Sequence, residues 1–340
     1  IVNEGIFSLT RSTWAAGSLT VNAGTTLEME NNSSGTYGMD VALNDGRLWM
    51  HGGGRTLSGQ VALGGANTIQ IDGGDTLTLD GLVHGSGSFD KTNSGILTLT
   101  AANTYSGGTT VSGGTLRIES DASLGAVPGS FDADNVTLSG GGILKNNGPS
   151  FDLDANRGIL LAGDGGVDVR GGTTMTIPGA ISGPGRFTKG DGGTLLLPGA
   201  NAYQGGTTVS GGVLQIASDA SLGQVPAAFE ADHIILNGGR LENESASVVV
   251  HANRGITVGS SGGQIDARGG TTVQVGTVAG TGAFTKSNTG TLIVGDGSGL
   301  SGQINLNNGT LAVASTGNLG TGLIDQIGRA SCRERVYHPV

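Results

Sequence analysis

Apolar and polar residues alternate along this chain in short runs. Leu97-Thr98-Leu99-Thr100, Leu116-Arg117-Ile118 and Val136-Thr137-Leu138 each place aliphatic side chains on one face and Thr or Arg on the other. A period of two is the signature of a half-buried strand. Gly, Asn, Asp and Pro punctuate the runs, which predicts short strands such as Ile96–Thr100, Thr115–Glu119, Asn135–Ser139, Ile159–Ala162, Val167–Arg170 and Thr173–Ile177. No helical period competes with them.

The pattern repeats over a long interval. Thr109-Thr110-Val111-Ser112-Gly113-Gly114 returns at 207–212, and Ser120 to Gly125 returns at 218–223, both 98 residues later. Ala155-Asn156-Arg157-Gly158-Ile159 returns at 252–256 and Phe187-Thr188-Lys189 at 284–286, both 97 residues later. An earlier unit shows at Phe89-Asp90-Lys91, and a further one runs to Leu319-Gly320. A β-sandwich or barrel does not duplicate nearly 100 residues head to tail without linkers, whereas a stacked solenoid does. With roughly 20 residues per coil and ~4.8 Å between coils, one unit makes about five coils and the chain about sixteen, on the order of 75 Å.

Composition narrows the function. Of 340 residues 67 are Gly and only 4% are aromatic, which suits a thin core with tight corners. The formal net charge of −10 and the lack of any basic cluster within the repeats argue against nucleic acid. No apolar run reaches the ~18 residues of a membrane-spanning helix. Ile1 begins the chain without a leader segment, so the start reads as cut or processed.

The composition breaks near Gln326. Arg329, Arg333 and Arg335 crowd around Cys332, the only cysteine. One codon choice for Ile327 to Val336 spells a common sequencing adapter, so residues 327–340 are expected to be foreign. Without them three Arg and one Glu are lost, and the net charge becomes −10 − 2 = −12 with no cysteine. That composition suits a chain exported through a disulfide-forming envelope.

The stretch Gly95 to Leu116, reading GILTLTAANTYSGGTTVSGGTL, closely resembles the passenger-associated strand repeat of autotransporters, and Gly193 to Thr207 resembles it again. The motifs span 94–118, 192–216 and a degenerate 290–314, where Ser298 and Leu300 stand in place of Asn201 and Tyr203. The resemblance implies a right-handed parallel β-helix, exported and displayed on the surface of a Gram-negative cell or secreted. It also implies a carboxyl-terminal outer-membrane β-barrel in the full-length protein as partner. Three regions are expected: an amino-terminal solenoid segment over 1–70, the passenger β-helix over 71–326, and the foreign tail.

Candidate chemistry is sparse. Asp132 and Asp134 recur as Glu230 and Asp232, and such i, i+2 carboxylates could hold Ca²⁺ or act as an acid/base pair. A solvated corner after an apolar anchor, Phe131 or Phe229, explains them as well. Gly163 to Asp168 reads as a turn rather than a tandem calcium repeat, and Gly259 to Gly263 matches G-x-S-x-G without a helix to follow. Arg157 and Arg254 are expected to bond corner carbonyls, Asn103 and Asn201 to make turns, and Tyr105 and Tyr203 to cover corners. His51, His84, His233 and His251 lack metal-ligand spacing. No catalytic, cofactor-binding or metal residue is nominated, and no cofactor is expected. The expected role is a non-enzymatic passenger stalk that supports export and presents an adhesive or effector region. Direct adhesion to host or sister-cell surfaces is the alternative, and a polysaccharide-active β-helix enzyme the third.

Overall fold

The computed structural model describes residues 1, 4–9, 16–30, 35–313 and 319–326, and the backbone of 331–332. The chain divides into two units, Ile1–Asp168 and Val169–Val340, and each is a parallel β-solenoid. The only helical turns among the described residues are two short 3-10 segments, Asp121–Leu124 and Asp219–Leu222.

In the first unit each coil runs through three faces. Asp40–Asn44, Arg47–His51 and Gly54–Leu57 make one coil, and Val61–Gly64, Ala66–Ile71 and Thr76–Leu79 stack on them in parallel register. Alternation then does its work. Leu77, Leu97, Leu116 and Leu144 are register partners coil after coil and all point inward, fully buried. The Thr or charged residues between them face out. The expected strands are found at Ile96–Leu99, Thr115–Ile118, Asp132–Leu138, Arg157–Leu161, Gly165–Val169 and Thr174–Thr176.

The second unit repeats the plan with Thr194–Leu197, Ala202–Tyr203 and Thr207–Val209 as one coil. Four ladder steps, Phe187 to Thr207, Ile234, Ile256 and Val278, climb one face. Phe284, the repeat equivalent of Phe187, lies on the next face, paired with Gly263 and Ile304. The repeat therefore spans four coils and one face of three, closer to four and a third coils than to five. Coils are unequal for a local reason: Leu97 to Leu116 takes 19 residues, but Leu116 to Leu144 takes 28, the excess forming the Asp121–Leu124 turn and the loop after it.

Of the expected foreign tail, residues 327–330 and 333–340 lie outside the described residues. The backbone of Ser331–Cys332 pairs with Thr310 and Leu311.

Candidate functional site: the repeated corners

The repeat's chemistry is concentrated in buried polar groups at the corners. Lys91, Lys189 and Lys286 are fully buried in inward columns; Lys91 stands between Ile69 and Val111. The Lys91 ammonium donates to the carbonyls of Thr92 (2.9 Å), Asn93 (2.6 Å) and Gly113 (3.0 Å). Lys189 does the same with Gly190 (2.5 Å), Asp191 (2.9 Å) and Gly211 (3.1 Å). Lys286 donates to Asn288 and, at 3.4 Å, to Asn308. Asn93 and Asp191 hold φ near 60°, a strained left-handed geometry for a non-glycine residue, and the ammonium grips the carbonyl it exposes. Burial pushes Lys91 down to about 8, with Asp90 opposing; at neutral pH it still carries its proton.

Asn103 and Asn201 do more than make turns. Asn103 Oδ1 accepts the Val83 N–H of the coil before at 2.8 Å, and its Nδ2 donates to the Ser123 carbonyl of the coil after at 2.8 Å. Asn201 bridges Ile181 and Ser221 identically. Tyr105 and Tyr203 do not cover the corners from outside. They are fully buried, packed on Phe89 and Phe187 with ring centroids 5.5 Å apart, and bond Thr109 and Thr207 at 2.7 Å. Burial raises both phenols well above their ordinary value. An exposed sugar-stacking role is thereby ruled out for these two rings.

Arg157 and Arg254 carry out the expected carbonyl binding with no exposure to solvent. Arg157 Nε bonds Asp121 Oδ1 at 2.8 Å, while Nη1 and Nη2 reach the carbonyls of Leu124 (3.1 Å), Gly125 (2.7 Å) and Ala126 (3.4 Å). Arg254 repeats this with Asp219 (3.0 Å), Leu222 (2.9 Å), Gly223 (2.7 Å) and Gln224 (3.2 Å). Gly125 is required here: its φ is 77°, and a Cβ would sit 2.4 Å from the Tyr105 carbonyl. One acceptor differs between copies. Asn135 Oδ1 takes Arg157 Nη1 at 2.9 Å, and His233 Nε2 takes Arg254 Nη1 at 2.7 Å.

The paired carboxylates are divided between structural and exposed roles. Asp132 accepts from Asn135 Nδ2 at 3.2 Å and Glu230 from His233 Nδ1 at 2.9 Å, while Asp134 and Asp232 are exposed. The preceding Phe131 and Phe229 are not anchors. Both are 50% exposed, because each stands one residue before Asp132 or Glu230, which pair with the inward Arg157 and Arg254, and so falls on the outward phase of the alternation.

Of the remaining sequence candidates, Gly163 to Asp168 is a turn only at Gly163 and Asp164, since Gly165 to Asp168 lie in the strand Gly165–Val169, and the others are turns or isolated contacts. Asp164 gives its carbonyl to Gly141 N–H, and Ser261 N–H bonds Asn237 in a turn closed by Gly262 and Gly259. His251 receives the Asn253 N–H beside the Arg254 corner, and His84 is half-buried on Val83–Gly85. His51 lies 3.1 Å from Glu28, and Glu30 completes a group whose ligand atoms fall within 4.8 Å of one another. Ser8 bonds the other Glu28 oxygen, so both Glu28 oxygens already have hydrogen-bond partners.

Sequence reasoning missed one cluster of mixed charge. On an outer face of the second unit, Glu242 and Asp266 are register partners and both buried. Arg268 Nε bonds Glu242 at 2.8 Å, and Arg240 bonds Asp266 at 3.2 Å. Asn288 Nδ2 donates to Glu242, and the N–H groups of Ser287 and Asn288 take Asp266 Oδ1 at 2.6 and 3.1 Å. Beside it lies an open cleft of about 590 Å³ floored by corner glycines and edged by Arg240, Gln264 and Ser287. Every carboxylate oxygen of the pair already has a donor, so the cluster fastens successive coils.

The comparisons fit this geometry. The model of the passenger-associated-transport-repeat matches residues 89–118, 187–216 and 284–313. Each match opens on the Phe of a Phe-x-Lys corner, and the first two contain the bridging Asn and the Tyr–Thr pair. The chain carries three copies of the passenger-associated-transport-repeat. The chain is also 33% identical over 300 residues, 82% of its length, to the adhesin BmaC autotransporter of Brucella suis biovar 1 (strain 1330). It spans 8% of that relative's length. No solved structure matches it. The Arg157 and Arg254 corners lie between the matched stretches and belong to the longer repeat.

Proposed function

We propose that this chain is a structural segment of an autotransporter passenger, a stalk that folds outside a Gram-negative cell and holds a distal region away from it. A carboxyl-terminal outer-membrane barrel of the full-length protein is its partner in export. The observation that carries this reading is the use made of Lys91, Lys189, Lys286, Arg157 and Arg254. All five are fully buried cations, and all donate to main-chain carbonyls of the solenoid. Their side chains stabilise the coil itself. Folding of stacked coils is then the free energy that draws the chain outward.

The test replaces residues 71–326 in the intact passenger by a Gly/Ser linker of equal length and follows a distal epitope by flow cytometry. A stalk requires a fall in surface display. Undiminished display would overturn it. Direct adhesion is a second reading, favoured by the relative's name and by the half-exposed phenylalanines.

A further inference from the structure

We propose that the two loops after the 3-10 turns, Ala126 to Phe131 and Gln224 to Phe229, are preorganised docking elements for a protein partner whose apolar pocket is bordered by Lys or Arg. A stalk has no need of them, so the inference goes beyond the stalk reading.

Three observations carry it. First, the exposure is reproduced. Phe131 and Phe229 are each 50% exposed, and Val127 beside the first is 46% exposed. Phe89, Phe187 and Phe284, repeated at nearly the same interval, are buried. Duplication has kept one set of aromatics inside and the other outside.

Second, the loops are held firmly. Arg157 and Arg254 bind three successive carbonyls at the start of each loop. Asn156 Nδ2 holds the Pro128 carbonyl at 2.9 Å and Asn253 Nδ2 the Pro226 carbonyl at 2.9 Å. A rigid loop that offers an aromatic side chain to water has already met the ordering cost of binding.

Third, the charge beside each Phe selects the partner. Asp132 and Asp134 follow Phe131, and Glu230 and Asp232 follow Phe229. Arg186, which donates to the Asp232 carbonyl at 3.1 Å, and the fully buried Arg254 are cations beside the second loop. In a chain of net charge −10, these carboxylates repel a second copy, anionic lipid and acidic glycan alike. A basic-rimmed apolar pocket complements both the ring and the acids.

The full chain, fluorescently labelled, is applied to an array of 12-residue peptides that carry paired Leu or Phe flanked either by Lys or by Glu. The expected result is binding to the Lys-flanked set, weakened about tenfold or more in the F131A/F229A double variant and by added salt. V249A, which trims another exposed apolar residue, leaves binding unchanged. All three chains should remain folded at the assay temperature, with F131A/F229A losing only the packing of two half-exposed rings. Equal binding by wild type and the double variant, or equal capture by Glu-flanked peptides, overturns the proposal. So does self-association in sedimentation, or binding to phosphatidylglycerol vesicles, that is lost in F131A/F229A.

Discussion

His233 Nε2 accepts a 2.7 Å hydrogen bond from the buried Arg254 guanidinium, in the place where Asn135 serves Arg157. The imidazole must therefore be neutral, with its proton on Nδ1 facing Glu230. Burial pulls its pKa below the ordinary 6.5; the Glu230 hydrogen bond opposes this and the Arg254 charge adds to it. The unfolded chain thus binds the proton more readily. Stability from this group is complete above about 6.5 and is lost as pH falls from there through the folded value. Urea melts between pH 7.5 and 5 should show this fall in wild type. In H233N, which restores the Asn arrangement of the first unit, that component of the pH dependence should vanish.

The corner lysines are expected to be structural. Lys91→Met keeps the apolar stem but leaves three carbonyls without their shared donor. It should cost about 2–4 kcal/mol in denaturant unfolding. A cost below ~0.5 kcal/mol, the range of an ordinary surface change, would remove Lys91 from the account.

The buried phenols give a spectroscopic check. Burial raises Tyr105 and Tyr203, so tyrosinate absorbance from these two should appear only when alkaline unfolding exposes them. In Y105F/Y203F the late absorbance step should disappear, with a loss of about 1 kcal/mol per hydroxyl. A titration near pH 10 in the folded chain that is lost in Y105F/Y203F would contradict the burial.

Asp132 and Asp134 provide a further check. With Asp132 bonded to Asn135 and Asp134 solvated, millimolar Ca²⁺ should leave the melting temperature unchanged. A rise that is lost in D132N/D134N would establish a cation site.

Much of the fold was legible because a period of two and a repeat near 98 residues survive without any tertiary information. Alternation also holds the inward position of the lysines, which was not among the expectations: Lys91 shares the parity of the inward Phe89. Its role was not legible, because the accepting carbonyl of Gly113 lies 22 residues away across a coil boundary. Phe131 and Phe229 were misplaced as anchors because their apolar character was weighed above their phase: they are out of step with the inward Val136 and Leu138, and with Ile234 and Leu236, so alternation turns them outward. The Glu242–Asp266 cluster was hidden by unequal coil lengths, which bring Arg240, Asp266 and Asn288 together at spacings that no fixed period supplies.

The most direct test of the central claim, that buried corner cations build a stalk able to fold outside the cell, is surface display of the intact passenger carrying R157A/R254A. Removing both guanidiniums leaves Leu124, Gly125, Leu222 and Gly223 without these donors. Less protease-resistant passenger is expected outside and more retained in the envelope, with R157K/R254K only partly restoring display because an ammonium lacks the planar fork. Wild-type display from R157A/R254A, with the purified chain measurably destabilised, would contradict it.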